Sequence, residues 1–233
     1  MLDAPDDPED LWLATDGVPS ARPLMQGDVL LGLPIGNDGG TAPGMILTHP
    51  CSMRAGKKLR ARQTVAQIVH QPITLEQWAG SHYDFMPLPG LEVPNLGAPA
   101  LDLRLIAAVP TPILLATDRR AALSEIGIHL LQQRLTHHLT RVVVDLETFA
   151  EHSAPTLLEV ELQEDWVSEA MRRVEVDADL AEAQQTAEDE FQDLLDADDR
   201  RLRGILSQPP TRAQAAREVR TAIRDRRDGV DGR

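Results

Sequence analysis

The chain has 233 residues, 42% of them hydrophobic but only 3% aromatic, and a formal net charge of -14. The core must be built from Leu, Val, Ile and Ala, which favours helices over a large sandwich, and the acidic balance excludes nucleic-acid binding except through a local basic patch. No apolar run reaches the roughly 18 residues of a membrane span, the acidic, Pro-rich start lacks signal-peptide regions, and a single cysteine permits no internal disulfide, so a cytoplasmic protein without membrane contact is expected, bacterial from its excess of Arg over Lys.

Residues 1–22 read as a flexible acidic arm, with Leu11, Trp12 and Leu13 as its apolar cluster. A small β-barrel domain is expected over 23–117. Its strands are Asp28 to Pro34, Gly44 to Thr48, Gln63 to Val69, Tyr83 to Leu88 and Leu101 to Val109, with Ile113 to Ala116 as a sixth. Asn37 to Gly40 has turn chemistry, and Arg54 to Lys58 is a basic loop. Thr74 with Gln77 forms a capping-box pattern, which opens a short helix through Trp78.

From Ser124 the apolar period becomes helical. Ile128, Leu131, Leu135, Leu139, Val142, Leu146 and Phe149 form one stripe, and Pro155 is expected to end that helix. A helical region over 118–172 would pack on the barrel or a partner. Beyond it, 173–233 forms a charge-segregated helical tail. Residues 174–199 contain no Lys or Arg, whereas 200–233 are Arg-rich. Complementary pairing of these two segments is one reading; a partner-binding arm, an acidic stretch that mimics nucleic acid and a solvated helix pair are the others. The last residues, Asp228 to Arg233, are expected to be disordered.

Candidate chemistry centres on Thr48-His-Pro-Cys-Ser-Met53. Cys51 is a candidate nucleophile with His49 as its base, against the alternative of a buried small residue. Arg134, His137, His138 and Arg141 lie on one side of the long helix, opposite the stripe, where they would form a solvated helix face or grip an anion or an acidic partner. Arg54 is a further binding candidate. The histidine spacings match no zinc motif, and Gly36 to Gly40 opens no helix and is no phosphate cradle. No metal or cofactor is expected.

The order Gly27-Asp28-Val29, then Pro43 to Thr48, then Val65 to Thr74 resembles the barrel of MazF/PemK-like toxins. Those are SH3-like endoribonucleases with a Gly-Asp-hydrophobic strand followed by an Arg-Pro-hydrophobic strand. The resemblance covers about 50 residues. It implies an SH3-like barrel and places Thr74 near the family's Ser/Thr. Where the family has its RNA-cleaving arginine, this chain has Ala42. The His-Pro-Cys segment also looks like that of a group of bacterial proteins with a Cys-Asp pair, where this chain has Ser52. The fold class expected is α+β, a small antiparallel SH3-like barrel followed by a mostly helical half. Two functions follow. One is a non-catalytic interaction or regulatory protein that binds a protein partner or a second copy. The other is a degenerate MazF-like endoribonuclease or other hydrolase acting through Cys51, His49 and Thr74.

Overall fold

The structure, a computed structural model, describes residues 1–36, 39–55, 58–174, 179–197 and 202–227. The fold is mixed α+β, a curled antiparallel half-barrel of seven strands and a helical C-terminal half. The chain divides into two compact units, Met1–Val18 with Leu24–His152, and Pro19–Pro23 with Ser153–Arg233.

The first unit begins with a 3-10 turn, Pro8–Leu11, capped by the Asp7 side chain. It leads directly into β1 (Trp12–Ala14). β2 (Asp28–Leu33) and β3 (Ala42–Ile46) follow. Then come the short helix α1 (Pro50–Met53), the hairpin strands β4 (Arg54–Ala55) and β5 (Lys58–Leu59), and β6 (Arg62–His70). Helix α2 (Leu75–Gly80), β7 (Phe85–Pro87), β8 (Pro99–Pro110), α3 (Thr111–Ala116) and β9 (Arg119–Leu123) complete the sheet region. Helix α4 (Glu125–Thr140) closes it, and α5 (Leu146–Met171) continues across the division between the units.

The sheet order is β1-β9-β2-β3-β6-β8-β7, and every pairing is antiparallel. One core cluster comprises Leu24, Leu30, Leu33, Ile46, Met53, Val65, Val109 and Leu114. Polar groups stitch its edges. Asp28, fully buried, accepts from the Met25 amide at 2.9 Å and from Arg119 Nη1 at 3.1 Å, which ties β2 to β9. Gln132 on α4 donates to the Gln26 side chain, which itself donates to the Leu47 carbonyl.

Three expectations about the sheet region are corrected. Residues 1–22 are not a free arm: β1 pairs with β9, and Leu2 and Leu11 are buried. Gly127 lets α4 approach this segment, since a Cβ there would collide with the Leu11 carbonyl. Residues 113–116 are helix, not strand, because Pro112 in the first turn of α3 cannot donate to a ladder. The region after 118 opens with a strand, so the sheet reaches beyond 23–117 at both ends.

The apolar stripe is also interrupted. α4 stops at Thr140, where Arg141 adopts φ +63° and its amide bonds the His137 carbonyl. Three valines follow, and β-branching disfavours helix. Leu139 and Val142 are consequently exposed. Pro155 does not end a helix but sits inside α5. It removes one backbone bond, a loss opposed by the packing of Leu162, Trp166 and Val167 further along the same helix.

The second unit packs that part of α5 with α6 (Leu180–Asp196), α7 (Leu202–Leu206) and α8 (Pro209–Arg227). Its core holds Trp166, Val167, Phe191, Leu195, Leu206 and Val219. The helical tail expected beyond residue 172 is present, and its described helices turn apolar residues into this core. Arg203 pairs with Glu159 at 2.8 Å, Arg220 with Glu161 at 2.7 Å and Arg226 with Glu190 at 2.6 Å. Asp228 to Arg233 lie outside the described residues, as do Asn37, Asp38, Gly56 and Lys57 of the two expected loops.

Candidate functional site

Pro50 opens α1 at the position where a missing amide costs nothing. His49 is the N-cap, and its Nδ1 accepts from the Cys51 amide at 3.3 Å. Met53, 2% exposed, anchors the turn in the core, and the Gln63 amide holds the Met53 carbonyl at 3.1 Å. The turn therefore fixes its buried end and presents Cys51 to solvent.

In this turn the Cys51 Sγ lies 2.9 Å from His49 Nδ1. An Nδ1 that accepts the Cys51 amide has its lone pair directed at the turn, where the thiol proton can also reach it. Burial lowers the His49 pKa from its ordinary value, which favours the neutral imidazole. The neutral ring can accept a hydrogen bond from the thiol, while the same burial makes it a weaker base. The Ser52 hydroxyl stands 3.7 Å from the same sulfur. Arg54 follows in β4, its backbone paired with Leu59.

Thr74 does not join this group. Its hydroxyl accepts the Gln77 amide while the Gln77 side chain accepts the Thr74 amide, so it is a helix cap. The Thr48 hydroxyl, next to His49, accepts the Thr64 amide at the start of β6, and Thr74 lies beyond the other end of that strand at His70. Six residues of strand separate the two ends, about 20 Å.

The second candidate group is corrected at its first member. Arg134, expected on a solvated face, is 2% exposed. Its guanidinium donates to the carbonyls of Trp78 at 2.5 Å, Phe85 at 2.6 Å and His82 at 3.4 Å, so it clasps the 78–85 segment to α4. Burial pushes its pKa down to about 10, and it stays charged at neutral pH. His138 lies 2.9 Å from Asp84, and Arg141 lies 4.0 Å from the same carboxylate. His137 packs on Tyr83 and is lowered by burial first, then by Arg141 and Arg134. Asp84 thus answers the positive charge that was expected to meet an outside anion.

Two clefts open elsewhere in the first unit. One, about 340 Å³, is lined by residues of the 3-10 turn and β1 together with Pro89 and Gly90. The other, about 380 Å³, is formed by the 91–97 loop and Arg120. Neither contains Cys51. The sequence reading missed the first because its walls come from segments some 75 residues apart. Among the described residues, no group of three or more His, Cys, Asp and Glu side chains is placed to hold a metal ion, and no helix is long and apolar enough to cross a membrane.

No protein-family model matches the chain, and no curated protein matches it.

Proposed function

We propose that this chain is a non-catalytic interaction or regulatory protein of a bacterial cytoplasm, its curled sheet an SH3-like barrel of MazF/PemK kind that has given up RNA cleavage. One observation carries the reading: the apolar outer segment of β8 and α3. β7 pairs with β8 only from Ala100 to Asp102, and the β6–β8 register jumps from Ala66↔Ile106 to Gln67↔Asp102. Residues 103–105 bulge there, and Arg104, Leu105 and Ile106 are exposed in succession. Ile113 and Leu115 of α3 are exposed as well, Leu115 at 63%. Apolar groups gathered on a rim mark a contact surface.

The loss of a catalytic set supports the same reading. Ala42 stands where the family arginine would act, and Thr74 is a cap. The test compares the tagged chain with L105D/L115D, which alters only exposed positions and is expected to retain its circular dichroism spectrum. The double substitution is expected to abolish retention of a specific bacterial protein or, if the partner is a second copy, the dimer mass in light scattering. An unchanged set of retained proteins and an unchanged mass would refute the reading.

A second reading, a hydrolase or degenerate endoribonuclease acting through Cys51, is favoured by the 2.9 Å contact with His49. It requires turnover of an RNA or ester substrate that C51S and H49A both remove.

A further inference from the structure

The cleft beside β1 is an edge as well as a pocket. β1 ends the sheet, pairs with β9 on one side, and has no strand on the other among the described residues. An unpaired strand edge offers backbone groups to an extended chain, although here the Trp12 amide is already bonded to the Glu9 carbonyl. Leu13, 55% exposed, projects from it. The cleft, about 340 Å³, runs along the same strand from Pro8 and Glu9 to Thr15, with Pro89 and Gly90 opposite.

Its far wall is fixed. The Trp12 indole Nε1 donates to the Pro89 carbonyl at 2.7 Å. Gly90 has φ +77°, and a Cβ there would come within 3.8 Å of the indole nitrogen. Glycine at this point satisfies the backbone angle and keeps the rim low.

Charge selects the occupant. The turn leading into β1 carries Asp6, Asp7, Glu9 and Asp10. Asp7 caps the turn, Glu9 lines the cleft, and none of the four side chains enters an ion pair among the described residues. A second copy docking antiparallel about Leu13 would set Asp10 against the Asp16 of the other copy, acid against acid. Like charges across a strand pair disfavour that arrangement, and nucleic acid is repelled for the same reason. We infer that the outer edge of β1 binds a basic, extended segment of another protein, adding a strand whose apolar side chain enters the cleft beside Trp12 and whose Lys or Arg residues meet Glu9 and Asp10. This rests on the reading of the chain as an interaction protein but uses a surface separate from β8 and α3.

The test titrates a dye-labelled alternating Lys-Val peptide into the full-length chain and follows backbone amide resonances. Saturable binding with shifts confined to Leu13, Ala14, Thr15 and Gly90 is expected. E9K/D10K, which changes only exposed side chains, should weaken binding about tenfold at low salt and give affinity for a Glu-Val peptide instead. A Lys-Val peptide N-methylated at alternate residues, unable to complete a ladder, should not bind. Equal binding of the methylated peptide, indifference to E9K/D10K, shifts elsewhere on the protein, or no binding at all would overturn the inference. L105D/L115D is expected to bind the peptide as the parent chain does. Failure of the β1 site is therefore read apart from failure of the β8–α3 surface.

Discussion

Arg134→Ala removes a charged clasp from the interior of the first unit. The wild-type guanidinium makes two short bonds, to the Trp78 and Phe85 carbonyls, and a longer one to His82, and it stands 5.6 Å from the centre of the Trp78 ring. Hydrogen bonds to a charged group contribute about 1.5–3 kcal/mol each, so the two short ones set a ceiling near 3–6 kcal/mol. Removing the guanidinium also relieves the cost of burying its charge, and it strands carbonyls that water must then reach. The net expected loss is about 2–5 kcal/mol, since each of the two carbonyls left without its donor costs about 1–3 kcal/mol. Arg134→Lys keeps the charge but not the planar fork and should lose about 2 kcal/mol. Urea unfolding followed by tryptophan fluorescence reads the change, and amide exchange at 78–85 reports whether that segment loosens first. A loss below about 0.5 kcal/mol for Arg134→Ala, the level of an ordinary surface change, would refute the reasoning.

Phe191→Ala, at a fully buried position of the second unit, should cost about 3–5 kcal/mol. It should also weaken the near-ultraviolet signal of Trp166, whose ring centre lies 6.3 Å away. Gly27→Ala meets both a φ of +88° and a Cβ contact of 2.9 Å with Leu123, so a loss of about 1–3 kcal/mol in denaturant titration is expected. Burial lowers the pKa of His129 below its ordinary 6.5. The unfolded chain therefore binds the proton first, and stability falls as pH drops through about 6.5 toward the folded value. His129→Gln should flatten the difference between urea midpoints at pH 7.5 and pH 5, and an unchanged difference would remove His129 from the account.

The sheet was legible where apolar runs were bounded by Pro and Gly. β2, β3, β6 and β8 lie where Asp28 to Pro34, Gly44 to Thr48, Gln63 to Val69 and Leu101 to Val109 suggested. The cap at Thr74 was legible because both of its partners lie within three residues. β1 was not, since three residues become a strand only against a partner far along the chain. The break after Thr140 was hidden by an apolar spacing that continued through Val142. The residues that stop the helix, Arg141 in the left-handed region and the valines after it, keep that spacing intact. Arg134 was misread because a long cationic side chain between polar neighbours looks solvated. Its carbonyl partners sit on a segment some 50 residues earlier. At Cys51 the sequence showed a Cys two residues from a His. It did not show that Pro50 would start a helical turn and bring the thiol back over its own N-cap.

The pairing of β1 with β9 joins Trp12 to Leu123, and β2 also waits for β9 along one edge. A ribosome adding roughly 5–20 residues per second needs about 6–22 s to travel between those positions. Throughout that interval the nascent chain carries two strands near its N-terminus, each with an edge lacking its neighbour, and Val29 and Leu30, fully buried in the finished fold, are among them. Late arrival of residues 119–123 therefore leaves apolar strand surface uncovered for most of the synthesis of the sheet, the condition under which nascent chains aggregate.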